Sequence, residues 1–253
     1  TRTAEDVAKA LEWFAGNQQI NQIYSDGGKE FGKGAQIAKI WKHAKSLPSI
    51  HRSNGIAERA VQTVLNGIRL CLNNSGLPTS RWPLAMEYFC LVLNTQCDEE
   101  GGNAYKRRFG EDFEGQHHPF GSLVDFIPHP DAILKYPKMG PNGIPGIFLG
   151  WEMNPGGKWS SGYRCVALDD LKRPDGSLLD YKQLATNIQA KIQRTDTVFR
   201  SLVVPPEYPI RLAFEKYSRT LKADWIPEDM QPQAEDTMPA EPPDEDEPIE
   251  EQY

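Results

Sequence analysis

Tyr24-Ser25-Asp26-Gly27-Gly28-Lys29-Glu30-Phe31 is the stretch that decides the reading of this chain. The run from Ile20 to Tyr24 has strand character, and Ser25-Asp26 closes it. Gly27-Gly28 then forces a turn, because glycine enters left-handed backbone at no steric cost. Asp26 is thereby expected at a strand end. A second acid, Glu58, stands 32 residues further on, in Asn54-Gly55-Ile56-Ala57-Glu58-Arg59, at the start of a long amphipathic stretch. A carboxylate at a strand end and one on a helix can face one cleft and hold a divalent metal.

Upstream, Thr3 caps a helix whose first turn carries Glu5 and Asp6, where the positive end of the helix dipole favours acids. Val7, Ala10, Leu11 and Phe14 recur at helical spacing, and Gly16-Asn17 stops the helix. Downstream, residues 33–45 read as a short helix through Ile37, Ile40 and Trp41, surrounded by Lys33, Lys39, Lys42 and Lys45. Residues 46–53 read as an irregular loop. Ala57, Ala60, Val61, Val64, Leu65, Ile68 and Leu72 form the expected buried stripe of a helix that begins near Asn54-Gly55 and ends at Asn73-Asn74-Ser75-Gly76. A further helix opens at Ser80-Arg81-Trp82-Pro83, with proline near its first turn, and runs to about Asn94.

From about residue 100 glycine and proline become frequent, and the apolar runs shorten to Phe120–Ile127, Ile144–Trp151 and Tyr163–Leu168. That pattern predicts a compact β module with hairpins. Trp82, Phe148 and Trp151 are expected in the core. Lys106-Arg107-Arg108 reads as a surface turn and His117-His118 as a loop. Residues 171–225 are mixed in character. The expected organisation is an α/β region over 1–98, the β module over 99–170, a mixed extension over 171–225 and a disordered acidic, proline-rich tail over 226–253.

Charge is divided unevenly. The net charge is −7, but residues 228–253 hold 11 acids and no Lys or Arg. Residues 1–227 carry 28 basic against 24 acidic side chains, a net +4 that suits a nucleic-acid-facing body. No run approaches the ~18 apolar residues of a membrane span, so no membrane partner is expected. The chain opens with Thr1 and without a signal peptide, and reads as part of a longer intracellular polypeptide. Cys71, Cys90, Cys97 and Cys165 include no Cys-x-x-Cys pair, which leaves a structural zinc site without support. Reduced, mostly buried thiols are expected.

The two acidic settings resemble the integrase region of copia-type (Ty1/copia) retrotransposon polyproteins. That family has a strand ending in Ser-Asp-Asn-Gly-x-Glu-Phe, then Pro-Tyr-x-x-x-x-Asn-Gly-x-Ala-Glu-Arg leading into a long helix. The corresponding stretches are Ser25 to Phe31 and Pro48 to Arg59. Leu77-Pro78 and Trp82-Pro83-Leu84-Ala85 look like the family's next helix start. Tyr105 to Gly110, Pro119-Phe120-Gly121 and Gly146 to Trp151 resemble the segment after the core. The similarity runs in order from about residue 1 to 170.

The resemblance implies part of a ribonuclease-H-like integrase core, a following small SH3-like β barrel and metal-dependent DNA integration by 3′-end processing and strand transfer. Asp26 and Glu58 match the second and third acids of a catalytic triad, holding Mg2+ or Mn2+. Lys39, Lys42, Lys45, His51, Arg52, Asn54 and Arg59 are the residues expected to meet DNA, whether element ends or target, through phosphate contacts. The full-length family implies a homo-oligomer working in the nucleus. Gly27 stands where the family has Asn, and Ser49 where it has Tyr. Nothing here matches the first acid, so the chain is expected to be N-terminally truncated and inactive by itself. Three alternatives are a non-catalytic nucleic-acid-binding or assembly module, an interaction protein acting through the β module and acidic tail, and a core completed by a neighbouring polypeptide.

Overall fold

The computed structural model describes residues 3–25, 28–40, 42–45, 55–98, 101–128, 143–200 and 204–220. Residues Thr1–Lys216 make one compact α/β unit, and a second unit begins at Tyr217. The element order in the first is α1 (Ala4–Ala15), β1 (Gln22–Ser25), α2 (Lys29–Ile37), β2 (Lys42–Lys45), α3 (Gly55–Ser75), α4 (Trp82–Thr95) and α5 (Ala104–Phe109). Then come β3 (Leu123–Phe126), β4 (Ile144–Met153), β5 (Trp159–Ala167), α6 (Tyr181–Lys191), β6 (Gln193–Thr195), β7 (Val198–Phe199) and α7 (Pro209–Thr220).

The N-terminal lobe is a βαβ unit with α1 laid beside it. Thr3 caps α1 as expected: its hydroxyl accepts from the Asp6 amide, and the Asp6 carboxylate answers to the Thr3 amide. β1 and β2 pair in parallel, with Ser25 opposite Lys45. The reading of 33–45 as one helix is corrected. α2 stops at Ile37, Lys39 takes a left-handed φ of 55°, and the chain re-enters as β2. Pairing with β1 satisfies the backbone of Lys42–Lys45 and overrides a helical pattern weakened by Gly32 and Gly34. Gly34 is there for packing: a Cβ on it would lie 2.6 Å from a Val7 methyl. Ala8 and Ala35 are the apolar residues buried in this lobe.

The other sheet is antiparallel, in the order β6-β5-β4-β3-β7. β6 and β7 lie at opposite edges, yet only Asp196 and Thr197 join them. A flat five-stranded sheet would hold its edges ~19 Å apart, four spacings of ~4.8 Å. Three Cα–Cα steps reach at most ~11 Å. The sheet must therefore curl until its edges meet. Thr195 of β6 donates its hydroxyl to the carbonyl of Ile127 just past β3, at 2.8 Å, and so ties one edge across to the strand next to the other.

β4 is the hub because both its faces are covered. Ile147 and Leu149 join Val166 of β5 and pack against Ile68 and Leu72 of α3, Ala85 of α4, and Leu184 and Ile188 of α6. Ile144, Phe148 and Trp151 face inward with Tyr163 and Cys165. Strict alternation would send Trp151 outward with Leu149. A bulge between Phe148 and Gly150 shifts the phase and turns the indole in. Tyr88 of α4 stacks on that indole, with centroids 5.1 Å apart at 12°. The indole Nε1 donates to the Gln116 carbonyl at 3.0 Å. The apolar core thus runs continuously from α3 and α4 into the β module.

Two further expectations are corrected. Trp82 is 51% exposed, because α4 turns its first residue to solvent while Ala85 and Leu91 face the core. Lys106, Arg107 and Arg108 lie on helix α5, where the Asn103 side chain caps the Lys106 amide. Asp112 and Asp98 pair with Lys106 and Arg107, and Arg108 donates to the Phe14 carbonyl.

Candidate functional site

The acidic motifs frame the lobe's sheet. β1 ends at Ser25, so Asp26 is the next residue along the chain; Asp26 itself lies outside the described residues. Ser25 Oγ and His43 Nε2 are hydrogen-bonded at 2.8 Å, which ties the end of β1 to β2. Gly32 of α2 sits over that histidine: a Cβ there would be 3.7 Å from Nδ1. Sequence reasoning passed over this Ser–His pair. Parallel pairing of β1 and β2 would have shown it, but residues 42–45 lacked any strand signal of their own.

Glu58 occupies the first turn of α3, where the helix dipole favours an acid. Its side chain is exposed, as is that of Arg59. Lys39, Lys42 and Lys45 are also exposed, Lys42 and Lys45 projecting from β2 and Lys39 from the turn before it. His51, Arg52 and Asn54 lie outside the described residues. The structure therefore brings Lys42 and Lys45 onto one strand beside β1. It describes Glu58 and Arg59 as neighbours on a separate helix.

The apolar stripe of α3 is only half buried, which corrects the expectation. Ile68 and Leu72 are enclosed, and Val64 is partly so. Val61 and Leu65 are 58% and 41% exposed, and Ala57 and Ala60 are exposed too. The buried half meets α4, where Gly67 lets the Phe89 ring approach so closely that a Cβ would stand 2.2 Å from it. The exposed half carries Glu58.

Among the described residues no three His, Cys, Asp or Glu side chains gather as a metal centre. Glu58 supplies one oxygen donor and nothing described completes the set, so no reaction step is derived through a metal. Burial pushes the Cys71 thiol up to about 11 and the Cys90 and Cys165 thiols up as well, which disfavours their thiolates. All four thiols are free, Cys165 buried, Cys71 and Cys90 half-buried and Cys97 exposed. No described helix is long and apolar enough to cross a membrane.

Comparison with known proteins shows a likeness to a transposon polyprotein. Over 82 residues, 30% of this chain, the sequence is 29% identical to the retrovirus-related Pol polyprotein from transposon TNT 1-94 of Nicotiana tabacum. The matched stretch spans 6% of that polyprotein's length. No protein-family model matches the chain. The likeness supports a retrotransposon-polyprotein origin.

Proposed function

We propose that this chain derives from the integrase segment of a retrotransposon polyprotein, with its N-terminal lobe and α3 descending from a ribonuclease-H-like core and its curled sheet from an SH3-like barrel. The observation that carries the reading is the likeness to the Pol polyprotein. Two features support its finer part. β1-α2-β2 is a parallel βαβ unit whose first strand leads directly into Asp26, and α3 opens with Glu58 in its first turn. The ancestral reaction is DNA 3′-end processing and strand transfer.

In this reading Asp26 and Glu58 descend from carboxylates that held Mg2+ or Mn2+, ions that activate an attacking oxygen and stabilise a leaving one. They are two of the three acids the chemistry uses. The 253-residue chain alone is therefore proposed to bind DNA without joining it. Lys39, Lys42, Lys45 and Arg59 supply sequence-independent phosphate contacts, and His51, Arg52 and Asn54, which lie outside the described residues, are proposed to add to them.

A strand-transfer assay on the purified chain, with labelled DNA ends in Mg2+ or Mn2+, is expected to give no joined product. Joined product would overturn the inactive state. Fluorescence anisotropy against duplex DNA is expected to show affinity falling linearly with salt on logarithmic axes. No binding at low ionic strength would sink the nucleic-acid reading. A second reading, an assembly module, is favoured by apolar side chains that the N-terminal half of α3 leaves exposed: Val61 and Leu65 on its stripe, and Ile56, 91% exposed, on another face. It predicts concentration-dependent self-association that weakens when these three residues become polar.

A further inference from the structure

The sheet of the N-terminal lobe has no buried residue. Along β1 exposed and half-buried positions alternate, and β2 is exposed at both ends and half-buried between. α2 covers the face of Ile23 and His43, since Gly32 lies over the His43 ring and Ile23 is paired beside it. The other face carries Gln22, Tyr24, Lys42 and Ala44, with the Tyr24 ring half in solvent. Parallel sheets are ordinarily covered on both faces, and a pair of strands alone is marginally stable in water.

The two edges of this sheet are not alike. β2 presents Lys42 and Lys45, both exposed, and lysines on an edge strand discourage further pairing. β1, Gln22-Ile23-Tyr24-Ser25, has no charge, no proline and no glycine. The direction of its backbone groups follows from its pairing. The Asn21 carbonyl accepts from the Lys42 amide at 3.0 Å, and in a parallel pair every second residue bonds to the neighbouring strand. Ile23 and Ser25 continue that row towards β2. Gln22 and Tyr24 therefore direct their N–H and C=O groups to the opposite edge. Among the described residues no strand lies there. Backbone groups aligned in this way are a template for one more strand.

We infer that β1 pairs antiparallel with β1 of a second copy of this chain, joining two two-stranded sheets into one of four in the order β2-β1-β1-β2. The register follows from which groups are directed outward. In an antiparallel hydrogen-bonded pair both residues must face the seam. Setting Gln22 opposite Tyr24 of the second copy, and Tyr24 opposite Gln22, uses every outward group of both strands. Setting Tyr24 against itself leaves Gln22 facing a residue beyond the end of β1. In the favoured register Ile23 meets Ile23 at the two-fold axis, a non-hydrogen-bonded pair with Cα atoms about 4.5 Å apart. Tyr24 covers Gln22 of the second copy on the open face.

Charge supports a second copy as the occupant. β1 brings no charge to the seam. Lys42 and Lys45 stay on the outer edges, three strand spacings or about 14 Å from their counterparts, beyond the screening length of about 8 Å at physiological salt. The lysine-bearing edges also stop growth, so the pairing closes at two. The inference stands apart from the nucleic-acid reading, and its surface is distinct from the exposed apolar residues of α3.

The test uses the full chain. Sedimentation in reducing buffer from about 5 to 500 µM is expected to show monomer giving way to dimer, with a Kd on the order of 100 µM, as suits a short seam. Gln22→Pro removes an outward amide and no bond to β2, and proline is tolerated at the start of an edge strand. Tyr24→Lys places a charge in the seam. Each is expected to weaken association about tenfold or more. Thermal melts separate lost pairing from lost folding. If Gln22→Pro melts early, Tyr24→Lys, at a surface position, carries the test. The register is read by cysteine cross-linking with the exposed Cys97 changed to Ser. Ile23→Cys is expected to give a disulfide-linked dimer on mild oxidation. Tyr24→Cys is not, because a stagger of two residues sets its Cα about 8 Å from that of the second copy, beyond the ~7 Å a disulfide spans.

A monomer at every concentration overturns the proposal and leaves this edge to a strand from another polypeptide. Undiminished association in both Gln22→Pro and Tyr24→Lys overturns it as well. So does cross-linking at Tyr24→Cys as fast as at Ile23→Cys, and so does cross-linking at neither. Association that survives Gln22→Pro but is lost when Ile56, Val61 and Leu65 all become Ser assigns the contact to α3 and overturns the β1 seam.

Discussion

The lobe of α1, α2, β1 and β2 differs from the curled sheet in what its side chains enclose. The lobe buries Ala8, Gly34 and Ala35, and leaves Trp13, Phe14, Tyr24 and Ile37 between 47% and 54% exposed. The sheet, with α3, α4 and α6 around it, encloses Trp151, Phe126, Phe148, Ile147, Leu149 and Ile188 below 2% exposure. At about 25 cal/mol per Å2 of apolar surface buried, the second region carries most of the stability. The exposed Lys39, Lys42 and Lys45 and the Ser25–His43 pair therefore sit where the fold is held least tightly, while Glu58 and Arg59 stand on the open half of α3. The lobe is fastened to the rest at a few points. Gln18 donates to the Arg108 carbonyl, the Arg108 guanidinium lies over the Phe14 ring at 4.4 Å, and Gly156 donates to the Trp13 carbonyl at 2.7 Å.

The sharpest way to break the contrast is Trp151→Ala. It removes the stack with Tyr88, the hydrogen bond to Gln116 and a fully buried indole. A loss of about 3–5 kcal/mol is expected, read as a shift in urea midpoint. A loss below about 1 kcal/mol would mean that the sheet is not the centre of stability.

Where a residue's environment is local, the sequence was legible. Thr3 and Asp6 announced α1, Pro83 announced α4, and the three apolar runs after residue 100 gave β3, β4 and β5 within a few residues. Where the environment is supplied by distant chain, it was not. Lys42-His43-Ala44-Lys45 is a strand only because β1 lies beside it. The α3 stripe follows one helical period throughout, yet only its C-terminal half meets α4 and the sheet. The inward turn of Trp151 depends on a bulge that no alternation reveals. At the candidate site, Glu58 and the lysines stood out as a motif in the sequence, whereas the Ser25–His43 bond needed the pairing register of β1 and β2.

His118 tests the sheet from within. Its folded pKa of about 4 lies below the ~6.5 of an unfolded histidine, so the unfolded chain binds more protons between those values. The stability that comes from keeping this ring neutral is fully present above about pH 6.5. It drains as pH falls and is gone below about 4, a loss of roughly 3 kcal/mol. Urea titrations at several pH values should show the wild-type midpoint falling across this window. His118→Phe, which keeps a ring against Phe148 and Tyr163, should flatten that part of the curve. Parallel curves for the two proteins would refute the assignment.

The lobe has a smaller test of its own. Gly34→Ala improves helix propensity by up to ~1 kcal/mol on an isolated helix. Here the new Cβ would meet Val7 at 2.6 Å and the Ala4 carbonyl at 3.0 Å. A net loss of about 1 kcal/mol is expected, with α1 and α2 pushed apart. Amide exchange should accelerate in α1 and α2 while β4 and β5 stay protected. Acceleration throughout would show that lobe and sheet unfold as one.

The smallest expected effect bears on the exposed half of α3. Ile56 is 91% exposed, so Ile56→Ser removes almost no buried surface, and serine costs only a few tenths of a kcal/mol in helix propensity. Stability should change by less than about 0.5 kcal/mol in dilute solution. The informative comparison is with Ile68→Ser, twelve residues along the same helix and 7% exposed, where a loss of several kcal/mol is expected. Measuring both at low and high protein concentration separates two states of the N-terminal half of α3. If Ile56→Ser becomes costly only as concentration rises, another copy covers that half of α3. If it is costly at every concentration, the chain's own residues cover it, and the division of α3 into a packed and an open half is wrong.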